Sequence, residues 1–296
     1  MQIIFLTYID RSGSTFLISH LGRVEKCVIC PEAEVLPLIF MHKPYAKPTI
    51  THKRFTNICR ENRKLQFWQF TPDEISVAID QDSNYKCFCK LLEMYAKRVN
   101  ANANSVVFKA FEISLFLSDL LPEHKIIKLI RDPRDIFLSQ KRNGLNNNPV
   151  AVAKYWNGYF NRNHKELFTV RYEDLVNSFQ KEFDSIIKYL FANQVSLTDN
   201  TDYSFININH RYIHSGIDSL PDKHRAEQWR ETEHTAAIKI IERMSISDKN
   251  TGYTIKTDTK KPYTILYIVH MAFYYLLFVI VNRFNIILWN LKRLSV

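Results

Sequence analysis

The turn Asp10-Arg11-Ser12-Gly13-Ser14-Thr15-Phe16 has the residue types of a phosphate cradle. It follows an apolar, strand-like run, Gln2 to Tyr8, and opens a helical pattern. Backbone N–H groups at such a strand–turn–helix junction have no partner inside the helix and attract an anion. A nucleotide triphosphatase reads G-x-x-x-x-G-K-[ST] at this point. Aligned on Gly13 and Thr15, the lysine position holds Ser14 and the leading glycine position holds Tyr8. The turn therefore suits a phosphate but lacks the cation that grips a β/γ pair. That lack, and the absence of an evident magnesium carboxylate, oppose a P-loop kinase.

A second anion site is written further on, in Ile126-Ile127-Lys128-Leu129-Ile130-Arg131-Asp132-Pro133-Arg134-Asp135. An Ile-rich run ends in an arginine and turns through proline into a helical pattern. An arginine at the C-terminal end of a buried strand lies on the ligand edge of an open α/β sheet, and its planar fork suits a terminal phosphate. Ser139 follows Arg131 by eight residues. That puts its hydroxyl about one turn into the helix, within reach of the same anion. Two phosphate sites without a triphosphate lysine imply a nucleotide whose phosphates occupy separated positions.

With these two motifs the chain resembles the sulfotransferases that use 3′-phosphoadenosine 5′-phosphosulfate. Arg11 to Leu17, RSGSTFL, is similar to their 5′-phosphosulfate loop, and Leu129 to Ser139, LIRDPRDIFLS, to their 3′-phosphate motif. Arg171 to Leu175, RYEDL, is a third match; Glu227-Gln228-Trp229-Arg230 through Met244 to Gly252-Tyr253 is a fourth. The resemblance covers roughly residues 1–253, in order. Alone, each motif has a plain structural reading. R-S-G-S-T is a common turn, Asp132 and Pro133 are a helix cap and first helical residue, and RYEDL is a strand running into a helix. The ordered set is what points to the family.

The resemblance implies the cofactor and the site. The sulfuryl donor is 3′-phosphoadenosine 5′-phosphosulfate, leaving adenosine 3′,5′-bisphosphate as product, with no metal. Arg11, Ser12, Gly13, Ser14, Thr15 and Phe16 form the 5′ loop, with Arg11 facing the phosphosulfate. Arg131 and Ser139 hold the 3′-phosphate, and Tyr172 contacts adenine or, as an alternative, is a core tyrosine at a strand end. Lys109, closing the strand-like run Val106 to Phe108, corresponds to a family lysine that steadies the sulfuryl group and leaving oxygen. Cytosolic small-molecule sulfotransferases carry a histidine base two residues after that lysine; here the position is Phe111, which moves the role elsewhere. Glu32, 21 residues after Arg11, stands where tyrosylprotein sulfotransferases and bacterial relatives carry a functional glutamate. Glu34 competes for that role and stands where the tyrosylprotein enzymes have an arginine. Arg11, Glu32 and Lys109 are the catalytic candidates. Sulfuryl transfer needs in-line attack, donors at the sulfuryl oxygens and a base for the hydroxyl proton.

These motifs need a scaffold. Strand patterns at 2–8, 105–109, 126–130 and 167–172 alternate with helical ones at 14–22, 84–99, 113–121, 134–142, 150–165, 174–191 and 223–244. The alternation predicts an α/β fold, a P-loop-NTPase-like parallel sheet with helices on both faces. The 296 residues are 46% hydrophobic, enough for a large core, and the net charge of +10 fits an anionic cofactor or acceptor. Nothing resembles a nucleic-acid-reading module, and no nucleic-acid partner is expected. Basic residues from Lys43 to Lys64 are either a solvated insert or a rim for an acidic acceptor. Five cysteines without a secretory signal indicate a reducing compartment. Neither Cys27-x-x-Cys30 nor His210 with His214 makes a complete metal set.

After Gly252-Tyr253 the composition shifts. Ile265 to Val281 is 17 residues long with only His270 strongly polar, and Phe284, Ile287, Leu288 and Leu291 recur at i, i+3, i+4, i+7. The sequence divides into a catalytic domain at 1–253, a linker at 254–262 and a hydrophobic tail at 263–296. The tail reads as a C-terminal membrane-associated helix, bent or lying in the interface, with the catalytic domain in the cytoplasm. The expected partner is a hydroxyl-bearing acceptor, a glycan or glycolipid; the oligomeric state is left open. A non-catalytic binding protein on the same fold is the rival that Glu32 and Lys109 oppose.

Overall fold

The computed structural model describes residues 1–32, 68–81, 84–111, 124–161, 167–192, 195–198, 222–232, 235–246, 251–254, 269–270, 272–281 and 283–284. The candidate helix at 113–121, Glu34, the basic stretch Lys43 to Lys64, Cys59, His210, His214 and the tail beyond Phe284 lie outside the described residues. In chain order the elements are β1 (Gln2–Tyr8), α1 (Ser14–Leu21), β2 (Cys27–Cys30), α2 (Pro72–Ile79), α3 (Asn84–Val99), β3 (Ser105–Phe111), β4 (Lys125–Ile130), α4 (Pro133–Arg142), α5 (Pro149–Phe160), β5 (Leu167–Arg171), α6 (Tyr172–Asn177), α7 (Phe179–Phe191) and α8 (Ala236–Ile241). Residues 272–281 are also helical and are called α9. The chain forms two compact units. The first comprises Met1–Ile9, Gly13–Ile130 and His164–Asp222; the second comprises Asp10–Ser12, Arg131–Asn163 and Lys223–Val296.

The first unit is built on a five-stranded parallel sheet of order β2-β3-β1-β4-β5. Its central strands are apolar almost throughout because both faces are covered, as parallel sheets require. Alternate residues go to opposite faces. Ile3, Phe5, Val106 and Phe108 join Ile75 and Ala78 of α2 and Phe88, Leu91, Leu92 and Tyr95 of α3. Ile4, Leu6, Val107 and Ile127 join Leu17, Ile18 and Leu21 of α1 and Phe183, Ile186 and Leu190 of α7.

Several elements differ from the sequence pattern. Strand β2 is additional, and too short for its periodicity to register. It sends Cys27 to one core and Cys30 to the other, so those two thiols cannot share a metal or a disulfide. Helix α2 is also additional. It starts with a capping box in which Thr71 Oγ1 accepts from Glu74 N while Glu74 Oε2 accepts from Thr71 N. The pattern at 174–191 divides into α6 and α7 at Ser178, whose φ of −135° leaves the helical region. The pattern at 223–244 resolves into 3₁₀ turns at Lys223–Arg225 and Gln228–Arg230, then α8, then a π turn at Glu242–Ile246.

In the second unit, α4 begins as the motif reads, with Asp132 Oδ1 accepting from Arg134 N at 2.9 Å and Pro133 in the first turn. Among the described residues, no helix is long and apolar enough to cross a membrane.

Candidate active site

The turn expected to form the 5′ loop leaves β1 after Tyr8 and passes through two left-handed residues, Arg11 with φ 73° and Gly13 with φ 94°. Gly13 caps α1, whose first residue, Ser14, is buried, while Thr15 is half-buried. A side chain at Gly13 has no room: a Cβ there would lie 2.3 Å from Cδ2 of Tyr172. Tyr172 is 5% exposed and its ring covers the turn at Gly13. Phe16 packs against the rings of His20 and Phe179, with centroids 4.5 and 5.7 Å away.

In the second unit, Arg11 meets the residues of the second motif. Its Nε donates to Ser139 Oγ at 3.1 Å. Arg131 Nη1 donates to the carbonyl of Arg11 at 2.9 Å, and its Nη2 donates to the carbonyl of Arg225. Gln140 Nε2 donates to the carbonyl of Asp10 at 3.2 Å. Burial foremost, then the guanidinium of Arg131, lowers the pKa of Arg11; Arg225 and Arg142 add to the effect and Asp10 opposes it. Gathering guanidinium groups around a partly desolvated one is unfavourable until an anion neutralises them. Ser12 is fully buried and its Oγ has no hydrogen-bond partner among the described residues. A buried hydroxyl left unmatched is costly unless a ligand satisfies it. These features fit a bound phosphate.

The other charges of the second motif brace the unit. Arg134 lies over the Trp229 ring, 3.2 Å from its centroid. Its Nη2 meets Asp132 Oδ2 and its Nη1 meets Glu242 Oε1, both at 2.6 Å and fully buried. Asp135 accepts from the backbone N–H of Glu227 at 2.7 Å and of Trp229 at 2.9 Å. Burial pushes Asp135 up to about 6, against the pull of Arg131 and the two N–H donors. The charged residues of R-D-P-R-D thus hold the segment from Glu227 to Glu242, which lies within the fourth stretch of the resemblance. The sequence points to a ligand role only for Arg131 and Ser139; the structural role of Arg134 and Asp135 depends on partners 92 to 108 residues away.

In the first unit, Lys109 Nζ lies 3.1 Å from Glu32 Oε2. The side chains are 12% and 29% exposed, so solvent reaches the carboxylate while the ammonium is largely enclosed. Lys109 Nζ also sits over the ring of Tyr8, 4.5 Å from its centroid. Parallel register makes this meeting: β3 runs beside β1 with Lys109 opposite Leu6 and Phe111 opposite Tyr8. Glu32 follows the end of β2, the outer neighbour of β3. Tyr8 is a member that sequence reading left unassigned. Among the described residues, no group of three or more His, Cys, Asp or Glu side chains could hold a metal ion.

The sequence profile described as Sulfotransferase family matches residues 4–193. The chain belongs to the sulfotransferase family and is a sulfotransferase enzyme. Among solved structures it is similar to the sulfotransferase domain from the Synechococcus PCC 7002 olefin synthase, at 19% identity, covering 86% of this chain and 96% of that one with a TM-score of 0.50. It is also similar to the sulfotransferase domain from the curacin biosynthetic pathway, at 18% identity, 82% and 96% coverage and a TM-score of 0.45. No curated protein matches the chain.

Proposed function

We propose that this sulfotransferase moves a sulfuryl group from 3′-phosphoadenosine 5′-phosphosulfate to a hydroxyl of a carbohydrate or lipid-linked glycan, on a P-loop-like catalytic domain spanning 1–253. The observation that carries the donor assignment is the arginine cluster around Arg11 together with the unmatched hydroxyl of Ser12. Family members generally use this donor. Arg11 to Phe16, Arg131, Ser139 and Tyr172 would hold it, and when bound it supplies the sulfuryl group and a readily departing phosphate. Glu32 takes the proton of the attacking hydroxyl. Lys109 holds that carboxylate in position and donates to the oxygens that gain charge. The glycan or glycolipid acceptor rests on a membrane-associated tail, which would keep the enzyme beside membrane-bound hydroxyls. Catalysis on the cytoplasmic side rests on the cysteine-containing sequence without a secretory signal.

Calorimetry tests the donor. Adenosine 3′,5′-bisphosphate should bind more tightly than adenosine 5′-phosphate by about 2–4 kcal/mol, the scale of a lost buried charge pair. Equal affinities would overturn the assignment. Transfer of labelled sulfate to glycolipid rather than to small phenols tests the acceptor class.

A further inference from the structure

Helix α9 has two unlike faces. One is docked within the second unit. Tyr274 and Phe278 pack with Met244 against Val150 and Ile240. The carbonyl of Tyr274 accepts from Asn148 Nδ2 at 3.1 Å, and Asn148 Oδ1 caps α5. Lys154 Nζ lies 4.6 Å from the ring centroids of both Tyr275 and Phe278. The other face carries Phe273, Leu276, Leu277, Ile280 and Val281, continued by Phe284, at spacings of three and four. Those side chains are large, apolar and exposed, Leu276 at 59% and Phe284 at 60%. A continuous apolar stripe of this size is not left to water.

Charge identifies what covers it. After Asp258 the chain has no Asp or Glu to its end, yet it has Lys260, Lys261, Arg283, Lys292 and Arg293. The stripe's spacing continues in sequence at Ile287, Leu288 and Leu291, with Asn285 and Asn290 between and Lys292 and Arg293 directly after. An apolar stripe flanked in sequence by lysine and arginine, with no acid after Asp258, is the pattern of a helix lying in the surface of an anionic bilayer. A spanning helix would have lipid around its whole circumference; here Tyr274 and Phe278 are already taken up by protein.

We infer that the face of α9 formed by Phe273, Leu276, Leu277, Ile280, Val281 and Phe284 is an in-plane contact with an anionic lipid surface, made by a helix built into the second unit rather than by a separable anchor. This deepens the membrane-associated reading above and rests on it.

Flotation of the full chain with vesicles of phosphatidylcholine, with or without phosphatidylserine, tests the inference. Wild-type protein should float with the anionic vesicles, and salt should weaken the binding. The double variant Leu276→Glu/Ile280→Glu should lose about tenfold or more in partitioning, with calorimetric binding of adenosine 3′,5′-bisphosphate unchanged. Equal flotation of variant and wild type would overturn the stripe alone. Failure of wild type to float with either vesicle would also overturn the membrane reading. A concentration-dependent dimer in light scattering, abolished by the double variant while flotation is unchanged, would assign the stripe to a second copy instead. Should the double variant not fold, Leu276→Cys carrying an environment-sensitive fluorophore should shift to the blue on anionic vesicles, relative to the unsubstituted chain labelled alike. An unshifted spectrum would overturn the contact.

Discussion

Lys109 Nζ and Glu32 Oε2 stand 3.1 Å apart although 77 residues separate them in the chain. The sheet makes this contact, since β3 carries Lys109 and its neighbour β2 leads directly to Glu32. The ammonium also rests over the Tyr8 ring, so three residues from three consecutive strands or their ends hold one another.

The trio has separable effects. Glu32→Gln keeps shape and removes the proposed base, and should lower turnover about 10²–10⁴-fold with donor binding intact. Lys109→Ala should also lower turnover. Tyr8→Phe preserves the ring face and should retain activity, whereas Tyr8→Leu should lower kcat more than it raises KM. Single-turnover assays with calorimetry in parallel measure both parts. An active Glu32→Gln enzyme beside an inactive Glu34→Gln one would show that the base is the other carboxylate.

Gly13→Ala should destabilise the protein by about 2–3 kcal/mol, because it meets both a disfavoured φ and the ring of Tyr172. Urea unfolding of Gly13→Ala, Tyr172→Ala and the double variant completes a cycle. The double variant should be less destabilised than the sum of the two single ones, since removing the ring relieves the collision. Strict additivity would mean that the ring does not press on this turn.

Asp135 makes stability depend on pH. Its carboxyl is raised from 3.8 to about 6 in the fold, so the folded state favours the protonated form. The stabilisation from this group is therefore full below about pH 4 and is lost as pH rises through 6, a change on the order of 3 kcal/mol. The melting temperature of wild type minus that of Asp135→Asn should fall between pH 4 and pH 6 and stay level above. A difference that is level throughout would mean that the carboxyl titrates at its ordinary value.

Much of this protein is local in its sequence. The left-handed turn between β1 and α1, the arginine at the end of β4 and the Asp132–Pro133 start of α4 each need only a few adjacent residues. Phosphate recognition by backbone N–H groups and helix capping are short-range effects. The long apolar strands could be read for the same reason. Tertiary structure decided the rest. The meeting of Lys109 with Glu32 and Tyr8 depends on strand order, which a parallel sheet sets through crossovers that sequence periodicity does not encode. Arg131 has two of its nitrogens on the carbonyls of Arg11 and Arg225, and Arg134 reaches Glu242 across 108 residues. A charged residue in a motif reads alike whether it meets a ligand or a distant partner; only the folded chain separates the two. The tail is the clearest case. Its apolar composition is plain in sequence, but which face is covered depends on Tyr274 and Phe278 finding Val150 and Ile240.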